Sequence, residues 1–388
     1  MITRDAIREL AAFESPEGCA LSFYFQPTTP QNKSHRDEVI FVKDLVRNAL
    51  RESEKLGKNG CARHDLQRIL ELSERLHGNH ARAKAVFACG KSNFWREFDL
   101  PPRLAGSRLA VNQHFHLKPL APVLEILPRI CVCVLDRSKA RLFEYILDEV
   151  REPIDMFAEL PRRGRSDGWG GYDAGHAERH IAHEAMHHFK AVADRLREMT
   201  ENNGCDKVVI GCRDETWPEI DPHLHPYVRQ RLLGRFVADP ATANQESIRT
   251  QADRLMAEHR LNRMQGLIRE ISGEAHRNGR GALGMRRVLR SMETGEVQTL
   301  LLGHNFSAVG SQCRNCGHLD TRMGQSCAVC GKETVEVEDV SDALLGAAIR
   351  NGIEVVYVPP DPEFEKAGNI AALLRFRADQ NTSAKVAS

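Results

Sequence analysis

Three stretches of this sequence carry residue types and spacings that can do chemistry. The first is Cys313-Arg-Asn-Cys316-Gly followed, ten residues on, by Cys327-Ala-Val-Cys330-Gly. Paired thiolates at this spacing close on one ion at about 2.3 Å, and the glycine after each pair tightens the turn. Four thiolates leave no open coordination position, so the expected cofactor is a structural Zn2+ and not a catalytic one. The second stretch, His183-Glu184-Ala185-Met186-His187, spells H-E-x-x-H. That pattern puts two imidazoles one helical turn apart, with a carboxylate able to activate metal-bound water. The third is a loop rich in cations and glycine: Arg162, Arg163 and Arg165 lead to Gly168, Gly170, Gly171 and Tyr172. Like charges concentrated in such a loop repel one another unless an anion joins them, and glycines permit close backbone approach to another molecule.

The histidine pattern has competing readings. His176, His180, His183 and His187 form a ladder on the helix side away from Ile181, Ala185 and Phe189. A ladder placed there faces solvent or RNA, where imidazoles can donate to phosphate or stack on bases. It can also hold a non-catalytic metal, or serve a zinc-dependent hydrolase using His183, His187 and Glu184. A hydrolase needs a third ligand. Glu215, His223, His225 and His259 are available at a distance, with no motif to choose between them.

What must position these residues follows from the periodicity. Ile181, Ala185, Phe189, Val192, Leu196 and Met199 recur at three-four spacing, so a long helix begins after the glycine loop and closes at Asn202-Asn203-Gly204. The loop is therefore a cationic tip mounted on a helix anchored in a core. Before it, 129–136 and 139–148 read as strands around a tight turn, and 152–161 as an edge segment; after it, 207–212 is a buried strand and 223–236 and 244–259 are helical. These make a middle domain, 128–273, with a mixed sheet. Residues 1–127 form an N-terminal α/β domain: a strand at 18–27, helices at 37–55 and 62–77, strands at 83–90 and 94–100, and a strand-like run ending at Pro128. Residues 274–377 form a third domain, with helix 282–295, strand 297–303, helix 341–352 and strand 353–359. That order implies a parallel sheet covered by helices, with the cysteine insertion, 311–334, between strand 303 and helix 341. Residues 378–388 are small and polar and are expected to be disordered. Arg277, Arg280, Arg286, Arg287 and Arg290 cluster around the first helix of this domain; they suit phosphate, or simply a solvated helix face.

Composition sets the bounds. A chain of 388 residues with 41% hydrophobic and 28% charged residues is of the globular class and long enough for several cores. With a net charge of +1, nucleic-acid contact has to come from local patches. The start lacks a cationic segment before an unbroken apolar run, and no stretch approaches a membrane span, so a cytoplasmic protein is expected. Of eleven cysteines, the seven outside the knuckles (Cys19, Cys61, Cys89, Cys131, Cys133, Cys205 and Cys212) are read as buried thiols in a reducing compartment.

The order of parts resembles the archaeal and eukaryotic class I peptide chain release factor and Pelota family, in its bacterial branch. The resemblance spans about residues 15 to 377 and rests on the loop RRGRSDGWGGYDAGHAERH, the cysteine insertion and the closing GNIAALLRF at 368–376. It implies a ribonuclease-H-like middle domain, a C-terminal α/β/α domain of ribosomal-protein type with a zinc-ribbon insertion, and a tRNA-shaped factor. The implied partners are the ribosome, through its RNA, and a translational GTPase, with no DNA and no membrane. Two departures shape the expectation. The family's stop-codon-reading Asn-Ile-Lys-Ser is absent, with Asn32-Lys33-Ser34 only a partial echo of it, so stop-codon recognition is not implied. Its Gly-Gly-Gln is here Gly170-Gly171-Tyr172, which removes the glutamine that helps place water at the peptidyl-transferase centre. Relatives without that glutamine include Balon-type factors, which occupy idle ribosomes; hibernation or rescue without peptide release is the implied role.

Overall fold

In the computed structural model, Ile130–Leu135 is a strand buried along its whole length, so both of its edges must be hydrogen-bonded by neighbours. It pairs antiparallel with Lys139–Ile146 and parallel with Lys207–Gly211. The turn into the second strand is set by Asp136, whose carboxylate accepts from the backbone N–H groups of Ser138 and Lys139, each at 2.7 Å. Glu149–Phe157 extends the sheet on one side and Leu232–Phe236, parallel, on the other. Alternate residues then feed two cores. Cys131, Cys133, Leu135, Leu142, Val208 and Ile210 lie under the helix Asp173–Glu201. Ile130, Val132, Val134, Phe143, Tyr145 and Val209 lie under Ile248, Ala252, Leu255 and Met256 of the helix Gln245–His276.

The structure describes the chain outside residues 1, 28–35, 56–61, 76–82, 102–103, 105, 125, 148, 158–172, 203, 325, 338 and 379–388. Asn32-Lys33-Ser34, Cys61 and the whole glycine loop, with Arg162, Arg163, Arg165, Gly170, Gly171 and Tyr172, lie outside the described residues. Packing divides the chain into two units: Glu125–Asn262, whose sheet is given above, and Met1–Leu124 together with Arg263–Ser388.

In the second of these units, Phe94–Leu100, Ala83–Cys89, Ala20–Phe25 and Arg108–Asn112 form an antiparallel sheet in that order. Val42, Val46, Leu66 and Ile69 of the helices Arg36–Lys55 and Arg63–Arg75 cover Leu21, Phe23, Phe25 and Val86. A second sheet runs Gly281–Leu283, Ile370–Leu374, Val297–Gly303, Glu354–Val358. Leu300, Leu302, Ile370, Ala372 and Leu374 pack under the helices Met285–Glu293 and Val340–Arg350. Leu301, Val358, Ala371 and Leu373 pack on the opposite face against Met264, Ile268 and Ile271 of Gln245–His276 and Phe364 of Pro362–Lys366.

The first and last parts of this unit are tied by polar contacts of long span. Asp342 accepts from the backbone N–H groups of Leu117 and Lys118, both at 3.0 Å, and pairs with His116 at 3.0 Å. Lys118 Nζ reaches Asp339 at 2.7 Å and the Phe306 carbonyl at 2.8 Å. Arg350 donates to the Ala11 carbonyl at 2.9 Å. Asp339 also caps the helix Val340–Arg350 by accepting from Ser341 N–H. Burial pushes its carboxyl up, but Lys118 and Ser341 outweigh that and hold it below the usual range.

Several local expectations are corrected. The run before Pro128 is a strand only at Arg108–Asn112; Lys118–Leu120 and Ala121–Leu124 are helical turns, with prolines 119 and 122 near their starts. Within 223–236 only Pro226–Arg231 is α-helical. Leu232 and Leu233 belong to opposite cores, a period of two that a helix cannot supply. Ala282 lies in the strand Gly281–Leu283, because Gly284 at φ +76° separates that strand from the helix. The second sheet is mixed, since only Val297–Gly303 with Glu354–Val358 is parallel. The helix expected at 244–259 continues to His276, and Arg4–Ala12, capped by Thr3, was not anticipated. Cys89, Cys131, Cys133, Cys205 and Cys212 are buried free thiols. Cys19, read as a thiol, is instead disulfide-bonded. Among the described residues no helix is long and apolar enough to cross a membrane.

Candidate functional site

The cysteine insertion is built on a small three-stranded sheet, Leu319–Asp320, Gly310–Cys313, Thr334–Val337. Its two knuckles repeat one another. Gly317 N–H donates to the Cys313 carbonyl at 3.0 Å, and Gly331 N–H to the Cys327 carbonyl at 2.9 Å. Both glycines sit in the left-handed region, at φ +72° and +69°, where a side chain would be strained. Cys313 N–H in turn reaches the His318 carbonyl at 2.8 Å, and Cys327 N–H the Lys332 carbonyl at 2.7 Å. Each loop therefore presents its first sulfur to a backbone donor: Asn315 N–H to Cys313 Sγ at 3.4 Å, Val329 N–H to Cys327 Sγ at 3.3 Å.

The four sulfurs lie within 4.8 Å of one another, with Cys313–Cys330 at 3.4 Å and Cys316–Cys327 at 3.7 Å. A tetrahedron with metal–sulfur bonds of about 2.3 Å has edges of about 3.8 Å, so the quartet fits one ion with little movement. The backbone N–H groups of Cys316 and Asn315, with the neighbouring thiols, hold Cys313 below the usual thiol range, while burial and those same thiols push Cys316 above it, so the first sulfur of the knuckle is the one poised as a thiolate. The surrounding insertion offers little else: Val329 and Met323 are 66% and 57% exposed, and its buried residues are chiefly Cys313, Cys327 and Ser311. His318, the residue after the first knuckle's glycine, pairs with Glu293 and ties the insertion to the helix Met285–Glu293.

The helix Asp173–Glu201 treats its histidines differently. Ala185, Phe189, Val192, Leu196 and Met199 are buried as the spacing predicts, while Ile181 is half-exposed. His183 and His187 are exposed neighbours, ring centroids 4.4 Å apart, and Glu184 approaches His183 only to 4.0 Å. The side chains of His176 and His180 lie outside the described residues. Among the described residues the cysteine quartet alone groups three or more metal-ligating side chains. His225 is otherwise engaged: its Nδ1 accepts from Tyr227 N–H at the start of Pro226–Arg231.

Sequence reasoning passed over His188. It sits three residues beyond Ala185 and four before Val192, which is the arithmetic of the buried stripe, and it is 5% exposed. Burial holds its imidazole below the usual range, against the Lys139 backbone and Asp136, and its Nε2 has no hydrogen-bond partner among the described residues.

Comparison with known proteins bears on what this arrangement serves. Residues 116–260 match the model of bacterial archaeo-eukaryotic release factor family 10. The chain is 24% identical over 310 residues to peptide chain release factor subunit 1 of Thermococcus onnurineus, covering 72% of this chain and 74% of that protein. It is 27% identical over 291 residues to the protein of the same name from Archaeoglobus fulgidus, covering 69% and 70%. The crystal structure of Archaeoglobus fulgidus Pelota aligns with 97% of this chain and 93% of its own, at 12% identity and a TM-score of 0.34.

Proposed function

This chain belongs to the bacterial branch of the archaeo-eukaryotic release factor and Pelota-like family, and on that premise we propose that it is a cytoplasmic, ribosome-binding, tRNA-shaped factor of hibernation or rescue. The observation that carries the reading is the family match over 116–260, because that stretch contains both the cationic glycine loop and the helix that mounts it. Arg162, Arg163 and Arg165 bind ribosomal RNA phosphate, and Gly170-Gly171 lets the backbone enter the peptidyl-transferase centre. Tyr172 stands where the related release factors place water with glutamine. Its ring stacks on bases, and peptide release is not its task. Without an intact Asn-Ile-Lys-Ser, the factor acts without reading a stop codon.

In this reading three domains share the work: 1–127, 128–273 and 274–377. The third holds a structural Zn2+ on Cys313, Cys316, Cys327 and Cys330, and meets the ribosome or a translational GTPase. When bound, the ion supplies folding energy to an insertion with little apolar core. The zinc-hydrolase reading of His183, Glu184 and His187 has no comparable support, since the described residues offer the pair no third ligand.

Co-sedimentation with ribosomes from starved cells tests the proposal. The wild-type chain is expected in the ribosomal pellet at low salt, with the triple Arg162, Arg163, Arg165→Ala variant released. Absence of the wild type from that pellet overturns the reading, and rapid hydrolysis of peptidyl-tRNA by the bound factor overturns the assignment of Tyr172.

A further inference from the structure

We propose that Cys131 and Cys205 form a dithiol oxidised by small hydroperoxides, and that its disulfide ties the end of the helix Asp173–Glu201 to the central strand Ile130–Leu135. The proposal does not depend on what the chain binds.

Backbone pairing brings the two sulfurs together. Cys131 stands opposite Val208 in the parallel pairing of Ile130–Leu135 with Lys207–Gly211, and both side chains lie in the core beneath the helix. Cys205 belongs to the turn between that helix and Lys207–Gly211. Its N–H donates to the Met199 carbonyl at 3.2 Å, while the N–H groups of Asp206 and Lys207 donate to the Arg129 carbonyl at 2.8 and 3.2 Å. The turn is therefore held at one residue by the last turns of the helix, and at the next two by the chain entering the central strand. Met199 also sets its Sδ 3.6 Å from Cys131 Sγ. The three sulfurs share one buried cluster, and the Cys131 thiol hydrogen-bonds the Cys205 sulfur. Both cysteines are free thiols.

The pair is unequal, which gives each sulfur a role. Their hydrogen bond holds Cys205 below the usual thiol range against burial, and the same bond, with burial, pushes Cys131 up. Burial also pushes up Cys133 and Cys212 in the same core. Cys205 is thus the nucleophile and Cys131 the thiol that resolves it. Glu201, Asn202 and Gly204 are exposed, so opening of one short turn uncovers Cys205, and the burial of both sulfurs restricts the reagent to a small one. The Cys205 thiolate attacks a peroxide oxygen. An S–O bond forms, the O–O bond breaks, and the departing hydroxide takes up the proton that Cys205 released on ionising. The Cys131 sulfur then attacks the Cys205 sulfenic sulfur; an S–S bond forms, the S–O bond breaks, and the hydroxide leaves as water with the Cys131 proton. The electron pair given up by the two thiols goes to the O–O bond, and no other reactant is needed.

The test is peptide mapping of the full chain after treatment with hydrogen peroxide, with remaining thiols capped by N-ethylmaleimide in denaturant. A Cys131–Cys205 linked peptide is expected, separated by dithiothreitol, with Cys133 and Cys212 recovered capped. Cys131→Ser should stop at the sulfenic acid, trapped on Cys205 by dimedone, and Cys133→Ser should form the link as wild type does. The wild-type map decides alone if a variant fails to fold. Amides at the end of the helix, Leu196 to Glu201, should exchange at least about 10-fold more slowly in the oxidised chain, because a disulfide closing so long a loop restricts opening. Cys131 and Cys205 both recovered as capped thiols, from a sample in which the exposed Met323 has been oxidised, overturn the proposal. So does a link from Cys205 to any other cysteine. Equal exchange in the oxidised and reduced chains overturns the tie between helix and strand.

Discussion

The cysteine insertion and the helix Asp173–Glu201 both carry spacings that metal sites use, and the surroundings separate them. In the insertion the backbone converges on the side chains. Two glycines turn the chain, two amides aim at sulfur, and four ligands from two separate knuckles meet within 4.8 Å. In the helix the convergence runs the other way. The buried face, with Phe189 and Leu196 against the sheet, fixes the element, and His183 and His187 are exposed, joined among the described residues by no third metal-ligating side chain. Two imidazoles a turn apart come with any helix that has them. A site requires other parts of the chain to be brought to them.

Four measurements break or sharpen that contrast. The largest effect belongs to the cysteines. The purified chain should carry one zinc, and Cys313→Ser or Cys327→Ser should remove it and open residues 310–337 to protease, since structural zinc binding is worth about 10 kcal/mol or more. Zinc retained by either variant would dissolve the distinction between the two stretches. Next is the anchor of the helix: Phe189→Ala should cost about 3–5 kcal/mol in denaturant unfolding.

A smaller effect is a dependence on pH. His188 has a folded pKa lowered by burial, so the unfolded chain takes up its proton first as acid is added. The contribution is complete above the unfolded value of about 6.5 and is lost as pH falls below it toward the folded value. Thermal midpoints followed from about pH 7 to pH 5 should therefore decline more steeply for wild type than for His188→Gln. Equal slopes would mean that the imidazole is solvated. The smallest effect is expected at His183→Ala and His187→Ala: unchanged zinc stoichiometry and stability within about 0.5 kcal/mol. A change in metal content there would restore the catalytic reading.

What the sequence revealed of this fold depended on how local the signal was. The knuckles were legible because ligand spacing and the following glycine lie within five residues of one another. The buried stripe of the long helix was legible because packing on one face repeats every three or four residues. Leu232–Phe236 misled because a short apolar run next to a true helix has no period of its own until Lys207–Gly211 lies beside it. Gly281–Leu283 was hidden likewise, since its partner Ile370–Leu374 is almost ninety residues away in the chain. Asp342 and Lys118 gave no sign at all: each is an ordinary surface residue until the other arrives. His188 and the helix Arg4–Ala12 were omissions within reach, for the buried positions of both could be counted.

The bonds from Asp342 to Leu117 and Lys118 join residues 225 and 224 positions apart, and the one from Arg350 to Ala11 spans 339. While the protein is being synthesised, the segment around Ala11 and Leu117 therefore keeps part of its surface uncovered until Asp342 and Arg350 have emerged, whereas Glu125–Asn262 can finish its own sheet in the meantime. A chain truncated just before Val340 would leave that opening segment without its closing partner, and a nascent product of that length is where a chaperone would be needed most.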